Sequence, residues 1–202
     1  MTTSKRITSL ILVFTLLLSM TIAVSGGEEF PGASDWAIAE LTMAGNDGFI
    51  TEAISDDFSK NISREEFCEI VVVLNDRLGG KQDLENEDPF TDTDNPVVLK
   101  AYNAGIIFGV GNNKFAPDEN LTRQELCVML IRAMTQSGVV FGADSEYNFQ
   151  KSYVDEDVIA NWALTAVRIM NDFKIMNGSG DNLEPLSPLT REPVSYTHLT
   201  LP

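Results

Sequence analysis

The chain has 202 residues, with 14 Lys+Arg against 30 Asp+Glu, a formal charge of −16 and one histidine. That length suffices for a domain with its own core, and that charge repels nucleic acid and anionic membrane surfaces. The histidine, His198, falls in a tail set aside below, which excludes histidine-based catalytic triads and histidine-rich metal centres.

Lys5 and Arg6 open the chain, and Ile7 to Val24 follow with no charge before Glu28. Ala23-Val24-Ser25 puts small residues at the −3 and −1 positions before Gly26. Residues 1–25 therefore read as a secretory signal peptide cut near Ser25-Gly26. A membrane anchor is the rival, because the apolar run approaches the roughly 20 residues a span needs. The small-residue cleavage pattern and the lack of a basic stop-transfer flank favour the signal peptide. Every carboxylate lies beyond it, so the exported part is two units more negative than the whole.

An internal repeat follows. Ile62-Ser63-Arg64-Glu65-Glu66-Phe67 echoes Leu121-Thr122-Arg123-Gln124-Glu125-Leu126 and then Leu189-Thr190-Arg191-Glu192. In the first two, Ser or Thr has an acidic residue three positions on, a capping box that starts a helix. Phe67, Ile70, Val71 and Leu74 then fall on one helical face, as do Leu126, Met129, Leu130 and Ala133. A second helix is predicted ahead of each cap, over Trp36 to Ala44, Val97 to Ala104 and Trp162 to Asn171. Each is introduced by an Asp-containing segment: Ser34-Asp35, Phe90-Thr91-Asp92 and Tyr153-Val154-Asp155. Between the helices lies a turn-rich loop, clearest from Gly105 to Pro117, whose glycines and asparagines permit positive φ. The units are 30–79, 88–137 and 149–192, an all-α helix-loop-helix array that must stack to share a core.

Cys68 and Cys127 sit in matching contexts, Glu66-Phe67-Cys68 and Glu125-Leu126-Cys127. One bridge is conceivable in an exported protein, but equivalent repeat positions have no reason to meet, and two small buried apolar residues are expected. Val194 to Pro202 reads as one frame of a transposase sequencing adapter, so residues 193–202 are set aside as a non-native scar. On that reading the natural protein continues past residue 192.

These features together resemble the S-layer homology family. Its pattern is an aromatic-x-Asp opening, a Trp-Ala helix, a Gly-Ile…Gly-Tyr-x-Asp-Gly-x-Phe-x-Pro loop and an Ile-Thr-Arg-Ala-Glu-Phe helix start. The middle unit matches through Phe90, Asp92, Gly105, Ile106, Gly109, Phe115, Pro117 and Thr122-Arg123-Gln124-Glu125. The third matches through Tyr153, Asp155, Trp162, Gly178, Asp181, Pro185 and Thr190-Arg191-Glu192. The first keeps Asp35-Trp36-Ala37 and Ser63-Arg64-Glu65-Glu66 but lacks the loop core. The resemblance implies a pseudo-threefold, three-pronged helical bundle that holds secondary cell-wall polysaccharide, often pyruvylated, in grooves between repeats. It implies Arg64, Arg123 and Arg191 as contacts to the acidic sugar, each beside free helix N–H groups. Asp35, Asp92 and Asp155 would orient sugar or arginine, Trp36 and Trp162 would line groove walls, and Gly109 joins the same polysaccharide-binding set. The middle unit has Val97-Val98 where the Trp would fall, and Pro193 stands where the family has Glu.

Arginine offers a planar fork of donors matched to a carboxylate, and screening over roughly 8 Å lets local arginines act despite the global charge. No Gly-x-Ser-x-Gly or phosphate-binding loop occurs, and no spacing singles out a carboxylate pair for glycoside hydrolysis. Asp92-Thr93-Asp94-Asn95 resembles half an EF-hand loop but lacks its Gly and terminal Glu. The region is thus expected to have no catalytic residue, metal or cofactor. The expected location is secreted, at the cell surface, wall or S-layer. The expected partners are wall polysaccharide and surface-layer proteins, with no nucleic acid and no membrane after signal cleavage. Two alternatives stay open: a structural S-layer or protein–protein module, or the anchor of a surface enzyme whose catalytic domain lies outside this chain.

Overall fold

The computed structural model describes residues 29–80, 88–143 and 147–193. The signal peptide and the tail from 194 onward lie outside the described residues. The regular structure is all-α: α1 (Ile38–Asn46), α2 (Arg64–Arg77), α3 (Pro96–Asn103), α4 (Arg123–Gln136) and α5 (Leu164–Asp172). Residues 191–193 begin a further helical turn, and among the described residues the β-bridges are isolated ones between loop segments.

The two long helices begin where the capping boxes place them. Ser63 accepts the Glu66 N–H at 3.1 Å, and the Glu66 carboxylate accepts the Ser63 N–H at 2.9 Å. Glu125 takes both the N–H and the hydroxyl of Thr122, at 2.9 and 2.6 Å. Such caps contribute about 1 kcal/mol each. At α3 the Asn95 side chain accepts the Val97 N–H at 2.9 Å, and Pro96 fills the first helical position, where no N–H is needed.

The tryptophans precede their helices instead of opening them. Trp36 lies in a 3-10 turn, Asp35–Ala37, and Trp162 in a turn ahead of α5. No side chain caps the start of α1 or α5, and at α1 the entering backbone tightens into the 3-10 form.

The capped helix of one unit packs on the first helix of the next: α2 on α3, α4 on α5, with α2 against α4 between them. The face predicted from periodicity is buried on both α2 and α4, and one hydrophobic cluster runs from Ala44 to Leu189. Full burial of a side chain such as Phe67 or Ile70 stabilises by roughly 1.5–3 kcal/mol. A smaller cluster of Phe30, Ala37, Leu41 and Phe58 closes the first unit.

The three helix starts at Arg64, Arg123 and Arg191 meet in a closed ring of backbone hydrogen bonds. Ile62 donates to Leu189, Leu189 to Leu121 and Leu121 back to Ile62, at 2.9, 3.2 and 3.0 Å. The next N–H groups run round the three units in the opposite sense. Arg64 donates to Glu119, Arg123 to Ser187 and Arg191 to Lys60; Glu65 donates to Pro117, Gln124 to Pro185 and Glu192 to Phe58. The first two N–H groups of these three helix starts are therefore filled by the loop of another unit. The expectation of free helix N–H groups beside the arginines does not hold, because these loop carbonyls already occupy them.

Candidate functional site

The loops of the second and third units are each pinned by an aspartate. Asp92 accepts the N–H groups of Phe115 and Ala116 at 2.8 and 3.0 Å; Asp155 accepts those of Leu183 and Glu184, both at 2.8 Å. These bonds hold Ala116 and Glu184 at φ of 60° and 57°, a left-handed conformation that L-residues disfavour by about 1–2 kcal/mol. The N–H of Phe115 leads the contributions that hold the Asp92 carboxyl below its ordinary range. At Asp155 burial opposes ionisation, yet the two backbone donors prevail and its pKa is lowered too.

The pinned loop then receives an arginine from another unit. Arg64 Nε donates to the Phe115 carbonyl at 3.0 Å, and Arg123 Nε to the Leu183 carbonyl at 2.9 Å. Asp92 thus bonds the N–H of Phe115, whose carbonyl takes Arg64, and Asp155 bonds that of Leu183, whose carbonyl takes Arg123. Asp35 does not share this role. It is exposed in the Asp35–Ala37 turn, and the residue two places after Phe30, where Asp92 follows Phe90 and Asp155 follows Tyr153, is Gly32.

Arg64 and Arg191 are buried and neutralised. Arg64 Nη1 meets Glu125 Oε1 at 2.6 Å and Nη2 reaches the Phe108 carbonyl at 3.4 Å. Arg191 Nη2 meets Glu66 Oε1 at 2.5 Å, and its Nη1 bonds Asp56. Arg123 is half-buried, with Nη2 on the Asn177 carbonyl at 2.6 Å. All three arginines join units, each through a partner far away in the chain.

Around Arg64 lies a groove of about 340 Å³, lined among others by Phe108, Gly109, Glu125, Arg132 and Trp162. It draws on all three units: Arg64 from the first, the loop and α4 of the second, and Trp162 from the third. Gly109 is required there because a Cβ would stand 2.5 Å from the Lys114 carbonyl oxygen and 2.9 Å from the Phe90 ring. Gly178 is restricted in the same way by Asn182 and Tyr153. Trp162 is 59% exposed and Phe108 53%, so two aromatic surfaces face the opening. Arg132 lies 4.5 Å over the Phe108 ring, and burial lowers its pKa. Of the residues named from sequence, the groove gathers Arg64, Gly109 and Trp162. Asp92 acts one bond behind it, while Arg123, Asp155, Arg191, Asp35 and Trp36 are not among its lining. Sequence reasoning missed Arg132 and Phe108, and it took Glu125 for a cap alone. The chain pattern held no sign that α4 and the Gly105–Pro117 loop would present them to one space.

The family model of the S-layer homology domain matches residues 89–127 and 154–192. The chain is an S-layer homology domain protein. The S-layer homology matches fall on the second and third units, the two whose loops carry the pinning aspartates. Three relatives align over much of the chain. An endoglucanase of Bacillus sp. (strain KSM-635) is 27% identical over 93% of this chain and 21% of its own length. An exoglucanase of Acetivibrio thermocellus is 29% identical over 66% of this chain and 12% of its own. A protein named as an uncharacterized cell wall amidase of Bacillus anthracis is 23% identical over 92% of this chain and 34% of its own. The chain thus spans about a third or less of each relative. Among the described residues no helix is long and apolar enough to cross a membrane, and no three His, Cys, Asp or Glu side chains cluster as metal ligands.

Proposed function

We propose that this S-layer homology protein is an exported anchoring module that holds secondary cell-wall polysaccharide, pyruvylated or otherwise acidic, in grooves between its units. The observation that carries this reading is the groove where Arg64, Gly109 and Trp162 converge from three units. An exposed indole can cover the apolar face of a sugar, and a groove of a few hundred Å³ suits one or two sugar rings. The closed hydrogen-bond ring supports a three-pronged, pseudo-threefold bundle, with units near 30–79, 88–137 and 149–192. Similarity to a small part of two glucanases and an amidase favours a module that accompanies enzymes, with any catalysis lying in other domains and none in this region. The location is the cell surface, reached through the leader of residues 1–25, with surface-layer proteins as further partners.

The test is sedimentation with purified wall sacculi, native or stripped of polysaccharide. Binding to native sacculi alone is expected, and Trp162→Ala should weaken it about tenfold, the loss of one aromatic contact near 1.4 kcal/mol. Equal binding to stripped sacculi would refute polysaccharide anchoring and favour a protein or peptidoglycan partner.

A further inference from the structure

The three arginines at the helix starts make their bonds within the protein, which leaves open what meets an acidic ligand. In the groove, Arg64 spends its guanidinium on two carbonyls and Glu125, and Glu125 spends its second oxygen on Thr122. That pair is neutral, and each nitrogen of the Arg64 guanidinium already makes one bond within the protein. Arg132 differs. Among the described residues its guanidinium meets no carboxylate or carbonyl, and it lies over the face of Phe108 at 4.5 Å. It is half-buried, in the same groove as Trp162. Arg64, Glu125 and Arg132 sum to one positive charge in a chain of formal charge −16.

A guanidinium stacked on a ring keeps its N–H donors in the plane parallel to that ring, pointing outward. Partial desolvation strengthens any charge-assisted bond it then makes. We infer that Arg132 is the specificity-determining contact of this groove: it receives the anionic substituent of the glycan while Trp162 covers the sugar, and Arg64 acts as a positioning residue through the loop. This rests on the anchoring reading above. Carboxylate and phosphate share the required chemistry, a planar or tetrahedral oxyanion accepting two parallel N–H bonds.

The experiment is calorimetry with purified acidic wall polysaccharide, in three forms: native, depyruvylated by mild acid, and dephosphorylated. The proteins are the full chain and its Arg132→Gln, Arg132→Lys and Trp162→Ala variants, each checked by circular dichroism and melting. Arg132→Gln is expected to bind the native polymer about ten- to a hundredfold more weakly, as for a lost charge-assisted bond. Arg132→Lys should fall between, keeping charge but losing the fork. Stripping the acidic group should weaken the parent equally and make parent and Arg132→Gln indistinguishable; which treatment does so identifies carboxylate or phosphate. If the parent and Trp162→Ala differ while Arg132→Gln and Arg132→Lys bind like the parent, the role of Arg132 is overturned and anchoring stands. If the parent binds no form, both fall. Should Arg132→Gln fail to fold, the response of Arg132→Lys to the native and stripped polymers decides.

Discussion

Arg64 and Glu125, 61 residues apart in the chain, meet at 2.6 Å, and the same carboxylate closes the helix start at Thr122. Arg191 and Glu66 repeat the relationship across 125 residues. One glutamate therefore serves a local and a long-range purpose. Replacing Glu125 by Gln keeps the shape but leaves a buried Arg64 without its counter-charge. A loss of about 3 kcal/mol is expected in urea unfolding, the usual consequence of removing one partner of a buried pair. Glu119→Gln, at an exposed side chain whose backbone carbonyl does the bonding, should stay within about 0.5 kcal/mol. Equal behaviour of the two variants would remove the long-range purpose.

Two glycines give opposite expectations for the same change. Gly109→Ala forces a methyl into the Lys114 carbonyl and the Phe90 ring, and overpacking of this kind costs about 1–3 kcal/mol. Gly45 is inside α1, where the nearest atom to an added Cβ is 3.6 Å away. Gly45→Ala should stabilise by about 0.5–1 kcal/mol through helix propensity. Thermal melting of both variants checks the pair, and a Gly109→Ala protein as stable as the parent would mean the loop opens freely.

Acid should unfold the protein through its paired carboxylates. Hydrogen bonds from Lys60 and then Arg191 pull Asp56 down to about 2, and backbone donors lower Asp92 and Asp155. A depressed folded pKa contributes stability that is complete above the unfolded value and lost as pH falls through the folded one. The melting temperature is therefore expected to hold from neutral pH to about pH 5 and to fall progressively toward about pH 2. Asp92→Asn should lower it at pH 7 and flatten the fall. Calorimetric melts across that range test this; an Asp92→Asn protein with the parent's pH slope would sever the loop bonds from the acid transition.

Both cysteines should be silent in the native state. Cys68 and Cys127 are buried free thiols, and burial pushes Cys127 up to about 12 and Cys68 further. The thiolate is the reactive species. A disulfide-exchange reagent at pH 8 is expected to titrate none in buffer and two in denaturant. Rapid native reaction of either would place that helix face in solvent.

What could be read from the chain was what lies within one turn of itself. The capping boxes at Ser63 and Thr122 and the apolar faces of α2 and α4 depend on neighbours three or four residues away, and they fell where expected. The arginine partners depend on chain segments brought together only by folding, so Arg64 looked free for a ligand when it is spent on Phe115, Phe108 and Glu125. Asp35 misled because Ser34-Asp35-Trp36 copies the motif's letters, while the structural register runs from Phe30 to Gly32. Arg132 belongs to none of the repeat motifs, and only the Gly105–Pro117 loop folding over it made it part of a groove.

The ring through Ile62, Leu121 and Leu189 also sets an arithmetic for descent. Each helix start owes its backbone partners to another unit, and three debts cancel around one circuit. A gene that gained or lost a single unit would leave a circuit of two or four, whose angles no longer close and whose N–H groups go begging. Tandem duplication should therefore be tolerated three units at a time, and point changes that make the units unlike one another come at less hazard than changes in their number.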